Sequence, residues 1–159
     1  MKDHNYNTIT TWTGNTGSGT ARVNSYERDL TLIVPGKPEI PGTSEVSIKG
    51  NKTRYNPEEL LQCAVASCHM LTLLYLCAKN NIVVTAYVDR SIGTMQETPE
   101  GGGHFTKIVL KPELTIAGKI DESKMAELQH EANKLCYIAS SCNFPIYHEP
   151  VYIKTDNIR

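Results

Sequence analysis

One segment constrains the fold of this chain more than any other. From Pro57 to about Asn80 the sequence is apolar almost all round, with Leu60, Leu61, Ala64, Val65, Met70, Leu71, Leu73, Leu74 and Leu76 on every face of a 3.6-residue repeat. Its start signal is complete. Asn56 can cap, Pro57 suits the first helical position, and Glu59 stands where its carboxylate can reach back to the cap amide. A helix of this length runs ~36 Å at 1.5 Å per residue, with more apolar surface than one small sheet can cover. A second copy of the chain packed along it is the expected remedy.

The rest of the chain reads around that helix. TITTWTGN, TARVNSY and DLTLIV predict two or three strands over residues 8 to 34, punctuated by Gly14, Gly17 and Gly19. Residues 35 to 54 hold three prolines and three glycines, and are expected as an ordered loop bordering the functional site. Two long strands, 82–95 and 104–116, are expected to be joined by a flexible hairpin tip at QETPEGGG, with Pro112 marking a strand edge or bulge. Asp121 can cap a second helix whose apolar face is Met125, Leu128, Ala132 and Leu135, with Cys136 at its end. FPIYHEPVYIKTD reads as a short final strand. The order lacks regular βα alternation, so an α+β fold is expected, as one domain over residues 1–159.

Net charge is −1 with basic residues scattered, which gives no footprint for nucleic acid. No apolar run reaches the ~18 residues that a bilayer span needs, and the polar start lacks the apolar core of a leader, so no membrane partner and a cytoplasmic location are expected. The five cysteines, Cys63, Cys68, Cys77, Cys136 and Cys142, are odd in number and unlike a secreted disulfide framework. With no CxxC or HxxxH pair, no metal or other cofactor is expected.

A cysteine is reactive only as thiolate, which needs nearby cations or donors. Cys68 lies about three turns into its helix, beyond the reach of the helix dipole, so a separate cation must act on it. At 100° per residue, Cys63 and Cys68 stand about 140° apart and Cys68 and Cys77 about 180° apart, so the three cannot form one site. His69 points about 100° from Cys68 and reads as a packing or interface residue instead of its base. A partner thiol must come from elsewhere in sequence, and Cys136 or Cys142 can supply it.

NPEELL, Ala64, Ala66 and Cys68 ten residues after Glu58, with A-x-x-x-C at Ala132 to Cys136, resemble the family of osmotically inducible protein C and the organic hydroperoxide resistance proteins. The resemblance runs from roughly Trp12 through Pro150. It implies an intertwined homodimer with the long helices packed together and active sites at the subunit interface. It also implies that Cys68 attacks an organic hydroperoxide to give a sulfenic acid, that Cys136 resolves it to a disulfide, and that a dithiol, in several relatives a lipoylated protein, reduces the disulfide. Glu58 matches the glutamate that holds an arginine over the reactive sulfur. Ten residues on one helix is ~15 Å of rise, so Glu58 would act through a long arginine or across the dimer. Arg28 and Arg54 are the candidate arginines, with Arg28 preferred.

Three residues depart from the family pattern: Tyr137 where many relatives have proline, the extra thiol Cys142, and Cys63 where a small residue is usual. They leave open whether Cys136 or Cys142 resolves. The expected activity is a thiol-dependent peroxidase. The alternatives are a noncatalytic dimeric module binding a small apolar ligand, or a thiol redox sensor of the same fold.

Overall fold

A computed structural model describes residues 2–156 of the chain. They fall into two compact units, one ending at Leu61 and the other beginning at Gln62. The long helix α1, Pro57–Lys79, is continuous through that boundary.

In the N-terminal unit, strands β1 (Ile9–Trp12), β2 (Leu30–Ile33) and β3 (Ile40–Gly42) form an antiparallel meander in that order. Two expectations are corrected here. The segment TARVNSY is a run of turns instead of a strand, because the Asn15 side chain accepts from the amides of Gly17 (2.9 Å) and Gly19 (3.0 Å), and both glycines take positive φ. Residues 35 to 54 are not all loop, since they supply β3 and a short 3-10 turn at Val46–Ile48. Pro41 is tolerated on β3 because that strand lies at the edge of the sheet. Gly42 beside it leaves room for the Leu30 side chain, whose tip a Cβ there would displace.

The start of α1 forms as its sequence predicts. The Glu59 amide donates to Asn56 Oδ1 at 2.7 Å, and the Asn56 amide donates back to Glu59 Oε2 at 3.1 Å. At the other end Asn81 turns left-handed (φ 58°) and the Ile82 amide closes onto the Cys77 carbonyl at 2.9 Å.

In the C-terminal unit the two expected long strands are each broken in two. They become β4 (Val83–Asp89), β5 (Ile92–Glu97), β6 (Gly103–Leu110) and β7 (Pro112–Ala117). The expected final strand is also two, β8 (Ile146–His148) and β9 (Val151–Thr155). One sheet has the order β4-β7-β9 and the other β5-β6-β8, with β8 and β9 joining in parallel. The three breaks lie at one level, since Asp89 pairs with Pro112 and Leu110 with His148. Pro112 and Pro150 lack the amide that a continuous ladder would need. The Asp89 carboxylate replaces a ladder bond by accepting from the Lys111 amide at 2.8 Å.

Two apolar clusters fill this unit. Leu73, Leu76 and Cys77 of α1 pack with Leu114 and Ile116 of β7 and with Met125, Leu128 and Ala132 of α2 (Glu122–Leu135). Val65, nearer the helix start, packs with Ile108 and Leu110 of β6 and with residues that follow α2. Asp121 caps α2 through the Lys124 amide at 3.0 Å. Leu135 leaves the expected apolar face, being half exposed, and Gln129 is buried there instead.

By length and composition α1 is sufficient to cross a membrane, contrary to the expectation from counting apolar runs. Of its most apolar window 28% is fully buried, while Leu61, Leu71 and Tyr75 stay exposed.

At the level of the strand breaks the C-terminal unit buries a polar group. His69 and His148 stack with ring centroids 4.3 Å apart. His69 Nδ1, His148 Nε2, Asp89 Oδ2 and the Tyr87 hydroxyl are each shielded without a hydrogen-bond partner among the described residues. Burial, with His69 and His130 nearby, lowers His148 from 6.5 to about 4, and burial also lowers His69. The unfolded chain therefore binds protons below pH 6.5 that the folded chain refuses. Stability is expected to fall between about pH 6.5 and pH 4, by at most about 1.4 kcal/mol per pH unit for each such proton. Solvent reaching the His148 ring keeps its share below that limit. Burial raises Asp89 above 3.8, so its protonation offsets part of the loss at the acid end. Urea midpoints measured at successive pH values check this, and a midpoint rising on acidification through this window would contradict it.

Candidate active site

The helix α1 carries Cys68 between the two apolar clusters, after Val65 of one and before Leu73 of the other. Cys136 follows the last residue of α2 and closes that helix in an extended conformation. It lies on the buried face of α2, seven residues after Gln129 and four after Ala132, and is 0% exposed. Cys68 is partly exposed. The fold brings these two thiols near enough for Cys68 to act on the titration of Cys136. Burial first, and then Cys68, push the Cys136 thiol up to about 11. It therefore stays protonated through the neutral range and presents a proton to its neighbour.

Cys142 is placed differently. Its thiol donates to the Ile138 carbonyl at 3.3 Å, whereas the Cys136 sulfur accepts from the Ala139 amide at 3.4 Å. The carbonyl and amide belong to one peptide unit and point in opposite directions, so that peptide stands between the two sulfurs. Burial raises the Cys142 thiol, with no contribution from the other cysteines. Cys77 is buried in the core and pushed up to about 11 by burial, and Cys63 is exposed on the outer side of α1.

Glu58, Arg28 and Arg54 belong to the N-terminal unit. Glu58 Oε2 is shielded and has no hydrogen-bond partner among the described residues. Arg54 Nε pairs with Asp29 at 3.0 Å and Nη1 donates to the Leu30 carbonyl at 3.2 Å, so its charge is already neutralised. Arg28 donates to the carbonyls of Tyr26 and Val23, both at 3.0 Å, and lies 3.9 Å over the Tyr26 ring. Among the described residues it pairs with no carboxylate. These contacts fix its direction while leaving its charge uncompensated.

Sequence reasoning placed His69 as a packing residue and did not single out Gln129. His69 is 1% and Gln129 4% exposed, and His69 Nε2 donates to Gln129 Oε1 at 2.8 Å. The signal was one polar residue in each apolar stripe, which shows as a pair only after the helices meet. Among the described residues no cluster of His, Cys, Asp and Glu is arranged to hold a metal ion.

The α+β chain thus carries two neighbouring thiols, one partly exposed on a long helix and one sealed at the end of a second helix. Residues 50–149 match the family described as OsmC-like protein, and the chain belongs to that family. An OsmC-like protein of unknown function from Vibrio cholerae is 26% identical, with a TM-score of 0.85 over 94% of this chain and 100% of that one. An organic hydroperoxide resistance protein from Legionella pneumophila is 15% identical, with a TM-score of 0.66 over 95% and 99%. Another from Elizabethkingia anophelis is 16% identical, with a TM-score of 0.67 over 97% and 100%. No curated protein matches the sequence.

Proposed function

We propose that this chain is a thiol-dependent peroxidase that reduces organic hydroperoxides. The observation that carries the reading is the proximity of partly exposed Cys68 to Cys136, which is sealed and whose thiol burial pushes up to about 11. Cys68, the accessible sulfur of the pair, attacks the distal peroxide oxygen as thiolate. The O–O bond breaks, the alkoxide takes a proton and leaves as alcohol, and Cys68 becomes a sulfenic acid. Cys136 then attacks the sulfenic sulfur, water leaves, and the disulfide forms before further oxidation. A dithiol, of the kind carried by lipoylated proteins, returns both thiols. By the family resemblance, the cation that holds the thiolate and polarises the peroxide is Arg28, which pairs with no carboxylate among the described residues, and the residue that orients it is Glu58.

The test mixes fully reduced protein with cumene hydroperoxide, and with hydrogen peroxide for comparison. Loss of two thiols per chain with a Cys68–Cys136 linkage is expected. Retention of the Cys68 thiol at excess hydroperoxide would sink the reading in favour of a ligand-binding module. One round of oxidation that no dithiol reverses would favour a redox sensor.

The same reading includes a homodimer built on α1. Leu71 and Tyr75, one turn apart on its outer side, are 63% and 64% exposed, with Cys63 and Ser67 continuing the stripe. Leu71→Glu is expected to convert a dimer to a monomer in sedimentation equilibrium. A parent protein that sediments as a monomer at micromolar concentration would refute the dimer.

A further inference from the structure

We infer that His69 and Gln129 are positioning residues for disulfide formation: their buried hydrogen bond sets the register of the two helices that carry Cys68 and Cys136. The inference rests on the thiol pair described above and concerns a step that the apolar core cannot specify alone. Leu73 and Leu76 meet Met125, Leu128 and Ala132 through non-directional contact, which neighbouring registers satisfy almost as well. A hydrogen bond of 2.8 Å between two sealed side chains tolerates no such slip.

The placement of this bond ties it to the thiols. His69 follows Cys68 directly, and Gln129 lies seven residues before Cys136, two turns away on the same buried face of α2. The imidazole–amide bond therefore fixes the two helices close to the level at which the two thiols approach each other. A disulfide needs its two Cα atoms within about 4.4–6.8 Å, and a slip of one helical residue, ~1.5 Å, consumes most of that range. The pin is itself held from behind. Gln129 Nε2 donates to the Tyr152 hydroxyl at 3.4 Å, and the His148 ring lies against His69.

The experiment reads two quantities on the purified full chain. The first is the equilibrium of the Cys68–Cys136 disulfide in a glutathione redox buffer, which involves no peroxide. The second is the split between loss of the Cys68 thiol and closure of the disulfide after a pulse of cumene hydroperoxide. Gln129→Leu is expected to lower the disulfide equilibrium constant and the closure rate about tenfold, leave the first step within about twofold, and let overoxidised Cys68 accumulate. Gln129→Glu, which keeps an acceptor oxygen for His69 Nε2, is expected to recover most of the closure rate. Leu128→Ala serves as the stability control, since it weakens the same helix contact without touching the pin, and should leave both redox quantities near those of the parent.

Gln129→Leu with parental equilibrium and closure rate would overturn the inference, and so would Leu128→Ala with the same redox defect at equal loss of stability. If the parent fails to react with hydroperoxide but Gln129→Leu still shifts the glutathione equilibrium, the peroxidase reading fails and the pin stands.

Discussion

Cys68→Ser is expected to abolish hydroperoxide consumption, lowering the rate by about 10³-fold or more, because a hydroxyl at neutral pH has almost none of the nucleophilicity of a thiolate. Residual hydroperoxide assayed against time gives the result directly. Cys136→Ser should separate the two chemical steps. Its Cys68 remains on the exposed side of the pair and still reacts once, but the sulfenic acid then has no neighbour to capture it. With excess hydroperoxide it proceeds to sulfinic and sulfonic acid, read as mass additions on the Cys68 peptide. Cys142→Ser should leave both steps intact, because the Ile138–Ala139 peptide stands between the Cys142 and Cys136 sulfurs. Full turnover in Cys136→Ser together with a Cys68–Cys142 linkage would reverse that assignment.

The second large effect is on stability. Leu73 is wholly buried where α1, α2 and the β4-β7-β9 sheet meet. Leu73→Ala removes three buried carbons and leaves a cavity that neighbours on three elements cannot all close, at a cost of about 2–5 kcal/mol. For a chain of this length each kcal/mol lowers Tm by roughly 2–4 °C, so calorimetry should show a large drop. Tyr137, beside Cys136 but 76% exposed, is the contrast: Tyr137→Ala should change stability by no more than about 0.5 kcal/mol. Equal losses for the two variants would mean that the core is not where the structure puts it.

The α1 start, the α2 cap and the pairing of distant helices were legible because they rest on local chemistry or on family likeness. Asn56 and Glu59 satisfy each other's backbone within one turn, as does Asp121 with Lys124. TARVNSY has β-prone residues yet turns, since the Asn15 side chain and two left-handed glycines favour a local solution. The two long strands read as continuous because nothing in residues 82–95 marks a break. The break is imposed by partners: Pro112 and Pro150 lack amides, and the Asp89 carboxylate takes the Lys111 amide in their place. Leu135 belongs to the apolar repeat of α2 but no neighbour reaches it, while Gln129 is buried because His69 is there to bond it.

By itself the sequence determined that a buried apolar helix with Cys68 in its middle would dominate an α+β fold, since periodicity and capping act over a few residues. It also left two candidates for the second thiol, as both stand on one short segment of chain. Only the tertiary structure separates their positions: Cys136 ends the buried face of α2 near Cys68, while Cys142, six residues on, is turned to the other side of a peptide bond. Proximity of residues so far apart in sequence depends on how helices cross a sheet, and that follows from the packing of the whole core.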